Sequence, residues 1–103
     1  MPVIVATVTP KPEFRDEVKE ALVVGVAGGH EDEGCELYAL HENAEKFVFV
    51  EKWATPEALA AHGSGPALTA MGKALKGKLV GPLDVVILEP VPAGDPSKGL
   101  LRP

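Results

Sequence analysis

One cysteine, Cys35, is all the thiol chemistry this chain possesses. An internal disulfide is therefore excluded, and with no partner at metal-ligand spacing so is a zinc ribbon. Cys35 reads as a small packed side chain rather than a reactive thiol. Basic charge is also short. Ten Lys and Arg stand against 15 Asp and Glu, a net charge of −5, and no basic stripe alternates with aromatics. Neither nucleic acid nor an anionic membrane surface is an expected partner. No apolar run approaches the roughly 18 residues of a membrane-spanning helix. His30, His41 and His62 lack the i, i+4 spacing of a helical metal site, and there is neither a G-x-G-x-x-G fingerprint nor a P-loop. The sequence therefore calls for no metal, flavin, haem or dinucleotide. Met1-Pro2 leads straight into a strand-like run with no charged leader or apolar h-region, so a cytoplasmic location is expected.

What is present is hydrophobic patterning: 46% of 103 residues, enough for one domain. Val3 to Val8 is a β-branched run bounded by Pro2 and Pro10. Pro12 and Glu13 open a helix with Phe14, Val18, Ala21 and Leu22 on one face, and Gly28-Gly29 supplies its stop. The polar run His30 to Gly34 reads as a solvated connection. Cys35 to Glu42 and Phe47 to Trp53 form a strand pair around the loop Asn43 to Lys46. In the second strand Phe47, Phe49, Glu51 and Trp53 alternate with Val48, Val50 and Lys52, the period of a strand covered on both faces. Thr55 is a good N-cap, with Pro56 at the first helical position and Glu57 in the first turn. That helix runs to His62, is broken by Gly63 to Pro66, and gives way to another with the stripe Ala67, Leu68, Met71, Leu75 and Leu79. Asp84 to Glu89 is the last strand.

The order β-α-β-β-α-β is that of the ferredoxin-like α+β fold, an antiparallel four-stranded sheet with helices on one face. Residues 1–90 form the domain and 91–103 a tail, which either drapes over a partner through Leu100 and Leu101 or is disordered. The face away from the helices is apolar through Val48, Val50 and the first strand. A homodimer packed sheet to sheet is the expected cover.

The Glu51-Lys52-Trp53 strand leading into TPEALAAH, the Glu33-Gly34-Cys35 approach and the helix PALTAMGKAL resemble the antibiotic biosynthesis monooxygenase family over roughly residues 3–90. The resemblance implies a dimeric α+β barrel with a pocket in each subunit between sheet and helices. Quinol and anthrone monooxygenases needing no cofactor, haem-degrading enzymes and a non-redox isomerase share that scaffold. Trp53 matches the strand tryptophan assigned to substrate binding or catalysis in actinorhodin-type anthrone monooxygenases. The asparagine, tyrosine and arginine used there fall at Phe49, Leu59 and Lys73. The asparagine, tryptophan and histidine of the haem-degrading branch are replaced by Val5 or Ala6, His62 and Gly72, which speaks against haem degradation.

On this reading His62 is the candidate base, because an imidazole titrates near neutrality, and Trp53 is the second candidate catalytic residue. Phe49, Trp53, Leu59, Met71, Lys73 and Tyr38 are the candidate substrate contacts. The expected reaction joins a small reduced aromatic, a quinol or anthrone, to O2 with no cofactor, the substrate itself supplying electrons after losing a proton. Each residue also has a plainer role: Phe47, Phe49 and Trp53 as core, His62 as a hydrogen-bonded helix end, Glu51 as an orienting carboxylate. A non-catalytic barrel that binds a small aromatic, and a non-redox isomerase of a phosphorylated metabolite, are the alternatives.

Overall fold

Proline and glycine punctuate the chain where the sequence places its turns. The computed structural model describes residues 1–101. In order these are β1 (Val3–Val8), a 3-10 turn (Pro12–Phe14), α1 (Arg15–His30), β2 (Cys35–Glu42), β3 (Phe47–Trp53), α2 (Pro56–Gly63), α3 (Pro66–Leu75) and β4 (Asp84–Leu88). The strands form one sheet in the order β2-β3-β1-β4, every neighbouring pair antiparallel. This is the ferredoxin-like arrangement. No helix among the described residues is long and apolar enough to cross a membrane.

Strand alternation sorts the sheet into two faces. Ile4, Ala6 and Val8 of β1 lie in register beside Glu51, Phe49 and Phe47 of β3, and β2 adds Tyr38 and Leu40 opposite Glu51 and Phe49. These side chains face the helices, where Val18 and Leu22 of α1 and Met71 and Leu75 of α3 close the core. Val3, Val5, Val48 and Val50 lie half-buried on the other face. Thr55 caps α2 as its sequence requires, its hydroxyl accepting from the Ala58 amide at 3.0 Å.

Two boundaries differ from expectation. α1 does not stop at Gly28-Gly29 but continues to His30, because those glycines serve close packing. A Cβ on Gly29 would lie 2.4 Å from the Tyr38 ring and one on Gly28 2.9 Å from the Cβ of Ala67. α3 ends at Leu75 rather than reaching Leu79. Gly77, at φ 78°, turns the chain into the left-handed region, and Leu79 packs on the core from an isolated bridge with Pro10.

Within the tail, Leu101 reaches back to the sheet. Lys52, on the face away from the helices and only 7% exposed, donates from Nζ to the Leu101 carbonyl at 3.3 Å and stands 3.8 Å from a Glu36 carboxylate oxygen. β4 is the least covered strand, with Val85, Val86, Ile87 and Leu88 between 43% and 64% exposed. It pairs with β1 alone.

Candidate functional site

The α2–α3 break leaves room above the middle of the sheet. A cavity of about 220 Å³ lies there, walled by Ile4, Ala6 and Val8 below, Leu59, Leu68 and Met71 above, and Leu83, Val85 and Ile87 at one side. Phe49 completes the apolar lining, and Tyr38, Glu51 and His62 bring its polar atoms. A wider groove of about 770 Å³ follows the free edge of β2 beside α1. It is open surface, and its Glu42 is engaged by Arg15 and Lys19.

His62 lies in the last turn of the short, capped α2 and is the residue that this helix buries. It is 5% exposed. Its Nδ1 lies 2.6 Å from Oδ2 of Asp32, and its ring leans over the Trp53 indole at 4.4 Å and meets the Tyr38 ring edge-on at 5.2 Å. A carboxylate only accepts, so Nδ1 carries the proton of this bond, and in the neutral imidazole Nε2 is then the acceptor. No enclosed side-chain nitrogen or oxygen lacks a partner among the described residues. His62 Nε2 and the Tyr38 hydroxyl have no protein partner there, so they reach open space; for His62 that space is the cavity, and Tyr38 lines both the cavity and the edge groove.

Glu51 faces inward between them. Its Oε1 accepts from the Trp53 indole N–H at 3.0 Å. Burial pushes its carboxyl above the usual range, an effect only partly offset by the indole hydrogen bond and by His62. Burial, and then the charges of Glu51, Cys35 and Asp32, drive the Tyr38 phenol well above its ordinary value, so it stays a neutral donor. Burial, with Asp32 and Glu51, also raises the Cys35 thiol, which keeps it protonated and poorly nucleophilic.

Of the residues singled out from sequence, Tyr38, Phe49, Leu59, Met71 and His62 meet around this one cavity. Trp53 does not reach it. It is fully enclosed behind His62, since its strand position points it under the helices, and it meets the site's residues through its hydrogen bond to Glu51 and its packing against His62. Lys73 is exposed on the opposite side of α3: two residues beyond Met71 is about 200° around a helix, so the face that buries Met71 turns Lys73 to solvent. His41 lies in the edge groove instead, and His30 Nε2 is 2.9 Å from the Tyr38 carbonyl oxygen.

Asp32 is the residue that sequence reasoning missed, being one acid in a charged loop and 30 positions from its partner. The available signal was Gly34. At φ 82° and with Ala58 Cβ 2.5 Å from where its own Cβ would be, Gly34 lets the α1–β2 loop lie directly on α2. The Ala54 amide then donates to the Gly34 carbonyl at 2.8 Å. Among the described residues no three His, Cys, Asp or Glu side chains gather as a metal site requires.

Residues 1–74 match the family model described as antibiotic biosynthesis monooxygenase. The fold is shared by solved structures. A crystal structure of an antibiotic biosynthesis monooxygenase is 25% identical, with a TM-score of 0.83 over 89% of this chain and 100% of that one. The Mycobacterium tuberculosis protein Rv0793 is 24% identical, also with a TM-score of 0.83, over 92% of this chain and 100% of its own. Among curated proteins, none matches the sequence significantly.

Proposed function

The chain belongs to the antibiotic biosynthesis monooxygenase family, and from that premise we propose that it oxygenates a small reduced aromatic of the quinol or anthrone class without a cofactor. The observation that carries this reading is the Asp32–His62 pair, whose free Nε2 faces an apolar cavity. His62 takes the proton of a bound hydroxyl, or of the ring carbon of an anthrone, and Asp32 offsets the imidazolium that forms. The aromatic anion is held among aliphatic side chains, away from water, where it passes electrons to O2. A carbon–oxygen bond forms and the resulting hydroperoxide breaks its O–O bond. One oxygen atom stays on the ring; the other leaves as water with the released protons. Four electrons come from the substrate, so no external reductant enters the balance. Tyr38 and Glu51 orient the substrate oxygen, and Phe49, Leu59 and Met71 clamp the ring. Trp53 holds Glu51 in place.

The test is oxygen uptake on mixing with a reduced naphthoquinol, compared with buffer, denatured protein and His62→Ala. Labelled O2 must leave one atom in the product. Uptake at the buffer rate would leave a non-catalytic aromatic-binding barrel as the reading. An isomerase acting on a phosphorylated metabolite is disfavoured, because no Lys or Arg lines the cavity.

We further propose that the protein acts as a homodimer through the valine face and β4, whose apolar side chains are the most exposed of the sheet. Sedimentation at micromolar concentration should give twice 10.8 kDa, and Val50→Lys should abolish the association.

A further inference from the structure

Resting on that reading of the cavity, we propose that the site selects a neutral arene of one or two rings with its hydroxyls at one end and excludes three fused rings, which narrows the proposed substrates to quinols and leaves the tricyclic anthrones out. Size is the first argument. A cavity of roughly 150 Å³ lined by aliphatic and aromatic side chains holds a single benzene ring. This one, at about 220 Å³, has room for a second ring and not for a third.

Polarity is the second. Tyr38, His62 and Glu51 form one cluster, with the Tyr38 and His62 rings 5.2 Å apart and Glu51 tied to the indole against which His62 packs. The rest of the lining is apolar side chain, aliphatic and aromatic carbon with the Met71 thioether, apart from the Gly63 backbone. A ligand that satisfies both parts carries oxygen on one ring and bare carbon on the other. With no Lys or Arg in the wall, a carboxylate or phosphate would be buried without a counter-charge.

Two residues set the limit. Ala6 is the smallest side chain of the β1 floor, flanked by Phe49 and Val85 on the neighbouring strands. Across the cavity Met71 has its terminal methyl at Gly25, where a Cβ would come within 2.3 Å of it. It therefore cannot withdraw towards α1 to lengthen the space.

The experiment measures equilibrium binding of phenol, 2-naphthol and 2-anthrol to the intact protein by dialysis, with oxygen uptake recorded separately. The expected result is 2-naphthol at least about tenfold tighter than 2-anthrol. Ala6→Val, a β-favouring change that fills the floor, should weaken 2-naphthol about tenfold and leave phenol within about twofold. Equal binding of 2-anthrol and 2-naphthol by the unaltered protein overturns the inference, as does failure of all three to bind. Neither result depends on how the variant folds. Size-ranked binding without uptake of O2 would reject the monooxygenase reading and leave this inference standing.

Discussion

Replacing Asp32 by Asn tests the site at its most specific contact. The substitution keeps shape and removes charge, so a 2.6 Å charge-assisted hydrogen bond to His62 Nδ1 becomes an ordinary one or is inverted by a flipped amide. Hydrogen bonds to charged groups contribute about 1.5–3 kcal/mol against about 1 for neutral ones. The neutral bond is kept in part, and Asp32 retains 22% side-chain exposure, so the stability loss should be about 1 kcal/mol. For a domain of about 100 residues that lowers the melting temperature by roughly 4–8 °C. The effect on turnover should be much larger. An amide can donate to Nδ1 and drive the proton onto Nε2, the atom that must accept one, and proton transfer by a positioned base is worth roughly 10²–10⁴ in rate. Oxygen uptake with a naphthoquinol, measured well below the melt and corrected for autoxidation, should show kcat reduced about a hundredfold or more, with KM within about threefold. In the double variant with His62→Ala the losses should not add, because Asp32 acts only through His62. A folded Asp32→Asn protein with kcat close to that of the parent would refute the reasoning.

Glu51→Gln keeps an acceptor for the Trp53 indole and removes a buried charge. Because the folded carboxyl titrates above its ordinary value of 4.5, its stabilising contribution is complete below that pH and is lost as pH rises through the folded value. The variant should therefore melt higher than the parent at pH 7 and no higher at pH 4, by calorimetry at both. Tyr38 is the sole tyrosine, so tyrosinate absorbance on alkaline titration reads it alone, and it should not ionise near its ordinary value of 10 while the fold persists. Gly29→Ala should cost about 1–3 kcal/mol in denaturant melts, since its Cβ meets Tyr38 ring atoms at 2.4 Å and that ring is already stacked on Phe49 at 4.9 Å. Gly25→Ala should cost less, because the atom it meets is the end of a flexible Met71 side chain.

The strands and the start of α2 were legible because their signals are local: a β-branched run between prolines, an alternating strand, a Thr-Pro-Glu cap. The errors fall where one residue type has two physical uses. Gly28 and Gly29 look like a helix stop and are instead packing surface. Leu79 continues a helical stripe and is buried by a bridge after the turn at Gly77. At the site, residues on the inward faces of β3, α2 and α3 could be collected from periodicity, and they do meet. Which aromatic shows a surface to the cavity could not, because Trp53 and Phe49 share a face and differ only in how far α2 covers them. The Asp32–His62 contact depends on a loop lying on a helix, and no spacing along the chain encodes that.

The glycines of α1 have a mechanical consequence. Gly25, Gly28 and Gly29 bring that helix into contact with Met71, Ala67 and Tyr38, so the wall beside β2 is stiff, with no slack to yield. The opposite wall is a single strand, β4, hydrogen-bonded along one edge. Elements with few buried contacts open at the lowest free energy. The edge strand β4 is therefore the wall expected to yield first when a guest enters or leaves, at the end of the cavity away from Tyr38 and His62.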